Sequence, residues 1–192
     1  MRAMAETARS PQLKSSLTHF ERLGLPCRFG IDLKGLERNY LHRSRETHPD
    51  FHQQTATAQR TSMEQSASLN AAYATLKHPF RRAEYLLELE GGPTAAEHKE
   101  TSPVFLEEML DLRMEIEDLR EAGDPESPRW QAMEQQLVRR NETLLAELSQ
   151  RFGQYEGLSP DASGRQGVLV QIRQVLNAAK YIQGLLRDLR AD

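Results

Sequence analysis

Apolar residues recur at helical spacing along most of the chain, and glycines and prolines separate the periodic segments. The sequence has no stretch of alternating apolar and polar residues and no Asn-Gly turn signal, which are the usual signs of strands and hairpins. The pattern therefore predicts an all-α protein. In the first half of the chain it predicts four helices. They cover residues 18–25, residues 33–47 with Asp32 as the N-cap, a segment that ends at residue 77, and residues 80–90 after Pro79.

Three longer helices are predicted beyond Gly91-Gly92-Pro93, over residues 103–122, 128–152 and 161–189. Their apolar residues alternate at spacings of four and three, which is typical of helices packed in an antiparallel bundle. A long coiled-coil dimer is the alternative, but the closely spaced loop signals argue against it. The predicted core positions are Phe105, Met109, Leu112, Ile116, Leu119, Trp130, Met133, Leu137, Leu144, Leu148, Val168, Ile172, Val175, Ala179, Ile182, Leu186 and Leu189.

Composition narrows the classes of protein that this chain can be. Its 192 residues suffice for one or two small domains, and its net charge of −3 gives no electrostatic case for nucleic-acid binding. The single cysteine, Cys27, excludes an internal disulfide and a Cys-rich zinc module. No apolar run is long enough to span a bilayer. No phosphate-binding loop or nucleophile motif appears, so we expect no enzyme activity, cofactor or metal.

The helix from Leu33 has two contrasting faces. Leu33, Leu36, Tyr40 and Ser44 share one face, which we expect to be buried. The basic residues Arg38, His42 and Arg45 share the opposite, solvent-facing side, and the helix leads directly into His48-Pro49-Asp50. Taken alone, this triplet is equally well explained as an ordinary turn that ends a helix, because proline and aspartate favour turns.

The surrounding sequence changes that interpretation. A basic helix, His-Pro-Asp, a polar loop and an Ala-rich helix have the layout of a J-domain. The segment QSASLNAAYATLKHPFRRAEYLLEL (65–89) resembles the end of the J-domain and the linker of the HscB family, and FLEEMLDLR (105–113) resembles its first bundle helix. The resemblance covers about residues 17–190. It implies a J-domain, built from an antiparallel helical hairpin and a short helix, followed by a three-helix bundle.

The resemblance also implies a function. An HscB-like protein docks on a DnaK-type, HscA-like chaperone, stimulates its ATP hydrolysis and delivers an IscU-like iron–sulfur scaffold protein. By position, His48, Pro49 and Asp50 form the stimulatory loop, and Arg38, His42 and Arg45 form the docking face. We expect a bacterial-type cytoplasmic protein without nucleic-acid or membrane partners. One departure is Phe51, which follows Asp50 directly, whereas the family usually has a basic or polar residue in between.

The polar composition of residues 1–16 predicts a disordered tail. The helix pattern places a domain boundary near residues 79–95. With the resemblance, this gives a J-domain (17–78), a linker with a short helix (79–95) and a client-binding bundle (96–192).

The first bundle helix carries a second apolar line, Leu106, Leu110 and Met114, that the bundle core does not need. Glu107, Glu108, Asp111 and Glu115 surround this line, and Tyr181 also points away from its own helix's core stripe. Exposed apolar residues rimmed by charge indicate a protein interface. In the family, the positions of Leu106, Leu110 and Tyr181 contact the scaffold. Asp111 is a further candidate here, and Glu107 and Met114 are weaker ones because the family often has other residues at their positions.

Three alternatives stay open at this point. Leu106 and Leu110 could pack against the J-domain or the linker. The chain could be a J-domain protein with a different client. It could also be a structural helical module in which His48-Pro49-Asp50 is an incidental turn.

Overall fold

The computed structural model describes residues 17–46, 56–99 and 102–191, and within these ranges all regular secondary structure is helical. The predicted all-α class is confirmed. The chain divides into two units, Met1–Leu86 and Leu87–Asp192. The helices are α1 (His19–Arg22), α2 (Leu33–Glu46), α3 (Ala56–Lys77), α4 (Pro79–Leu89), α5 (Pro103–Ala122), α6 (Pro128–Gly157) and α7 (Arg165–Arg190).

Helix α1 is a single turn fixed by a capping box. The Glu21 amide donates to the Thr18 hydroxyl at 3.2 Å, and the Thr18 amide donates to the Glu21 carboxylate at 2.8 Å. The prediction that this helix runs to Leu25 is wrong. Helix α1 ends at Arg22, and Gly24 just beyond it adopts a left-handed φ of 63°, which glycine tolerates and which prevents the helix from continuing to Pro26.

Helix α2 begins as predicted, at the Asp32 cap. The Lys34 amide donates to the Asp32 side chain at 3.0 Å, and the Leu36 amide donates to its carbonyl oxygen at 2.9 Å. Leu36 is buried, but Leu33 is 52% exposed, so its predicted burial is wrong. Leu33 is the first helical residue, and helical side chains tilt toward the helix N-terminus, which directs Leu33 away from the buried turn.

The first unit buries one continuous set of apolar side chains between its helices. Tyr40 and Ser44, the other predicted members of the buried α2 face, are half-buried. Tyr40 stacks on Tyr73 of α3 with ring centroids 4.1 Å apart, and its hydroxyl donates to Asn70 at 2.9 Å. The buried apolar residues are Phe20, Leu23, Phe29, Leu36, Leu69, Ala72, Leu76, Phe80, Ala83 and Leu86.

A buried arginine stabilises the corner between α3 and α4. Arg82 is 7% exposed, donates from Nη1 to the carbonyl oxygen of Leu76 at 2.5 Å, and lies 5.1 Å over the Phe29 ring. Burial lowers the pKa of Arg82. It also lowers the pKa of His78, with the charges of Arg81 and Arg82 acting in the same direction. The corner thus holds a cation against the last carbonyls of α3, where a helix terminus favours positive charge.

The second unit is a three-helix bundle. Helix α5 has the predicted bounds, but α6 continues five residues beyond the predicted end at Phe152, and α7 begins at Arg165 rather than 161. Phe152 and Tyr155 are both buried, so packing carries α6 through Gly153. The core cluster contains Met109, Leu112, Ile116, Leu119, Met133, Leu137, Ile182, Leu185 and Leu189, with Phe105, Trp130, Leu144 and Leu186 partly buried against it.

The segment that precedes the bundle is fixed to α6 and α7 by polar contacts. The Tyr155 hydroxyl donates to Glu90 at 2.7 Å, and the Arg165 guanidinium lies 3.8 Å over the Tyr155 ring. Farther along, the buried Arg173 donates to the carbonyl oxygen of Pro93 at 2.8 Å, and Asn177 donates to that of His98 at 2.9 Å. Residues 90–98 are therefore part of the second unit's packed structure.

Candidate partner-binding surfaces

The first candidate surface is the basic face of α2, formed by Arg38, His42 and Arg45, and all three residues are exposed. Arg38 lies 3.5 Å from Asp32, and His42 lies 3.5 Å from Glu46. Pairs this exposed contribute little stability and exchange readily with other charges. The α2 basic face can therefore offer its cations to an acidic partner.

The predicted stimulatory loop follows α2 in the sequence. His48, Pro49 and Asp50 fall within residues 47–55, outside the described residues, and so does Phe51. Their predicted roles stay predictions.

A cleft lies beside α2, and the sequence pattern does not predict it. It measures about 460 Å³ and is lined in part by Arg22, His42, Arg43 and Glu46. Arg43 donates to the carbonyl oxygen of Arg22 at the end of α1. Helical periodicity places His42 and Arg43 on α2 but gives no information on Arg22, because that neighbour comes from a different element.

The second candidate surface lies on the bundle. Leu106, Leu110 and Met114 of α5 are exposed, as the second apolar line predicts, and Leu110 reaches 58%. The next stripe of the same helix, which includes Met109 and Leu112, is buried in the core. The structure thus separates the residues that hold the bundle together from those that face solvent.

Tyr181 of α7 joins this line. It is 46% exposed, and its ring meets the Phe105 ring edge-on with centroids 5.9 Å apart. Phe105 directly precedes Leu106 on α5, so the contact brings the exposed tyrosine to the α5 line. We call Leu106, Leu110, Met114 and Tyr181 the α5–α7 face.

The acidic residues around the face are not equivalent. Arg140 of α6 binds both carboxylate oxygens of Glu108, and these side-chain hydrogen bonds lower the pKa of Glu108. Glu115 lies 3.9 Å from Arg129, also on α6. Glu107 and Asp111 are exposed. Glu108 therefore bridges α5 to α6, whereas Glu115 only lies near an α6 arginine, and Glu107 and Asp111 form the acidic edge toward solvent.

The described part of the chain contains no cluster of three or more His, Cys, Asp or Glu side chains arranged to hold a metal ion. None of its helices is both long and apolar enough to cross a lipid bilayer. Cys27 is exposed and is not in a disulfide.

This chain is similar to known proteins in part of its sequence and in its fold. Residues 101–190 match the family model of the HSCB C-terminal oligomerisation domain. The structure is similar to that of the chaperone HscB from Vibrio cholerae, at 28% sequence identity and a TM-score of 0.74, over 90% of this chain and 95% of that one. The resemblance to the HscB family is confirmed.

The human co-chaperone protein HscB shares the HscB fold with this chain. The TM-score is 0.74 at 20% identity, and the match covers 98% of this chain and 91% of the human one. Both structural matches extend beyond the bundle, so the HscB-like architecture includes the first unit as well as α5, α6 and α7.

Proposed function

We propose that this protein is a co-chaperone of iron–sulfur cluster assembly. In this role the first unit docks on an HscA-like, DnaK-type chaperone and stimulates its ATP hydrolysis, and the bundle binds an IscU-like scaffold protein and delivers it. The observation that carries the proposal is an exposed apolar face on the bundle of a chain that matches an HscB chaperone over 90% of its length. The chain performs no chemistry of its own, and the proposed setting is the cytoplasm.

The α2 basic face supplies the docking step. Two exposed arginines, Arg38 and Arg45, lie on one side of a helix with His42, and their charges steer an acidic surface into register, which increases the association rate and fixes orientation more than it adds affinity. His48, Pro49 and Asp50 follow in sequence, and in the proposal Asp50 competes for a cation on the chaperone and so biases its ATP state. The chaperone responds through a coupling between two of its own sites.

The α5–α7 face supplies the client step. Binding energy at protein interfaces concentrates in a few apolar and aromatic side chains surrounded by polar ones. Leu106, Leu110 and Tyr181 provide such a centre, and Glu107 and Asp111 provide a charged edge. In the proposal, Met114 extends the apolar line by one further turn.

The decisive experiment is the steady-state ATPase rate of the cognate chaperone. It is measured for the chaperone alone, with this protein, with the scaffold protein, and with both, and is repeated with Asp50→Ala and Leu110→Ala. We expect synergy from wild-type protein and scaffold, no stimulation by Asp50→Ala, and stimulation without synergy by Leu110→Ala. Stimulation without synergy by the wild-type protein would indicate a different client. No stimulation by folded wild-type protein would indicate a plain helical interaction module.

The alternative partner for the α5–α7 face is another copy of this chain. The observation that favours it is the matched family model, which describes the C-terminal region as an oligomerisation domain. Sedimentation equilibrium of wild-type and Leu110→Ala protein tests this alternative. A concentration-dependent dimer that Leu110→Ala dissociates would assign the face to self-association, and a monomer at every concentration would exclude it.

A further inference from the structure

Arg113 is a cation that borders the α5–α7 face. Arg113 lies three residues after Leu110 and directly before Met114 on α5. At about 100° per residue, Arg113 and Glu107 lie on opposite sides of Leu110, each about 60° away from it. Arg113 is on the side that borders α7, since it approaches Asp188, and its side chain is 62% exposed.

The carboxylates beside Arg113 hold it only loosely. Its guanidinium is 3.8 Å from Glu117 and 4.0 Å from Asp188, distances beyond direct hydrogen bonding. By contrast, Arg190 of α7 donates to Glu134 at 2.7 Å. Within the described residues, the guanidinium of Arg113 makes no hydrogen bond to another side chain. Its five N–H donors therefore remain open to a better-placed acceptor.

We propose that Arg113 is a specificity-determining residue of the α5–α7 face and binds a carboxylate on the client's surface. This inference rests on the proposed client-binding function. It also defines the partner's chemistry: an apolar patch against Leu106 and Leu110, a carboxylate on the α7 side, and basic groups opposite Glu107 and Asp111. The planar, charged guanidinium of an arginine beside apolar side chains is suited to bind both oxygens of a carboxylate.

The inference predicts effects of opposite sign for Arg113 and for Asp188, a carboxylate that also lies 3.6 Å from Arg187. Arg113→Gln removes the donor and weakens scaffold binding. Asp188→Asn removes an intramolecular competitor for Arg113 and leaves binding equal or tighter. If Arg113 only clamped α5 to α7, both substitutions would lower the melting temperature by similar amounts and neither would alter binding.

The test is isothermal titration of the cognate scaffold protein into wild-type protein and the variants at low and high salt. Arg139→Gln and Glu142→Gln are the charge-matched controls, because both residues are exposed on α6. We expect Arg113→Gln to weaken binding about two- to fivefold more than Arg139→Gln, as for other partly exposed ion pairs. Arg113→Lys should restore part of that loss, and high salt should abolish the difference.

Four results would overturn the inference. Arg113→Gln binding as tightly as Arg139→Gln would exclude a direct contact. Asp188→Asn weakening binding as much as Arg113→Gln would assign the pair a structural role. If wild-type protein does not bind the scaffold, the client-binding proposal fails and this inference fails with it. Binding that Leu110→Ala abolishes and Arg113→Gln preserves would overturn the inference alone.

Discussion

The ring of Tyr181 meets that of Phe105 edge-on, with centroids 5.9 Å apart. Phe105 is half-buried against the bundle core, so its contact restricts the orientation of the exposed tyrosine. A side chain that is already ordered loses less conformational entropy on binding than a mobile one. Tyr181 is therefore suited to act as an anchor for a protein partner.

Tyr181→Ala should weaken scaffold binding about tenfold or more, the loss typical of an aromatic anchor. Tyr181→Phe should bind nearly as well as wild type, because the contact with Phe105 involves the ring and not the hydroxyl. Titration calorimetry measures both affinities, and thermal melts serve as the control for folding. Equal losses for the two variants would show that the hydroxyl, rather than the ring, makes the contact.

The free energy of unfolding should respond differently to substitutions in the buried core and on the exposed α5–α7 face. Ile172 is fully buried on α7, so Ile172→Ala should lower the free energy of unfolding by about 2–5 kcal/mol. Leu110 is 58% exposed, so Leu110→Ala should lower it by less than about 1 kcal/mol. Urea unfolding followed by circular dichroism measures both. A loss at Leu110 as large as that at Ile172 would mean that the α5–α7 face is covered in the isolated protein.

The Glu108–Arg140 pair should make part of the bundle's stability dependent on pH. Hydrogen bonds from Arg140 lower the pKa of Glu108 below its ordinary value of 4.5. A carboxyl with a lowered folded-state pKa stabilises the fold above its unfolded pKa, and that contribution is lost as the pH falls through the folded one. Arg140→Gln should therefore unfold at lower urea than wild type at pH 7, and the difference should shrink below about pH 4.

The control for this effect is Arg139→Gln, since Arg139 is an exposed neighbour on the same helix. It should leave the urea midpoint nearly unchanged at both pH values, because surface charges away from a close pair contribute little. A difference between wild type and Arg140→Gln that is equally large at pH 3 and pH 7 would mean that Arg140 stabilises the bundle through packing rather than through Glu108.

Helical periodicity alone predicted much of the bundle and of its exposed face. Because α5 is a regular helix, counting at about 100° per residue separates the buried stripe through Met109 from the exposed line through Leu110. The same counting placed Tyr181 away from the core. The periodicity gave a wrong prediction of burial at a helix end. Leu33 belongs to the apolar face of α2 by its position, but it lies in the first turn of the helix and is exposed.

The spacing of residues along one helix does not predict contacts between residues that are far apart in the sequence. Arg173 lies within an apolar helix and is buried because it reaches the carbonyl oxygen of Pro93, 80 residues earlier in the chain. Glu108 looks like a member of an acidic rim, but Arg140 of another helix binds it. Nothing in the spacing of charges along one helix indicates which partner the neighbouring helix provides.

The α2 basic face should control how fast the protein associates with its chaperone. Replacing Arg38 and Arg45 together with glutamine removes two exposed cations, so stimulation of the chaperone ATPase should fall most at limiting co-chaperone and at low salt. Arg60→Gln/Arg81→Gln is the matched control, because these exposed cations lie on α3 and α4. Stopped-flow association kinetics should show a reduced on-rate for the first variant only. An unchanged on-rate with faster dissociation would mean that Arg38 and Arg45 make specific contacts in the complex rather than steering its formation.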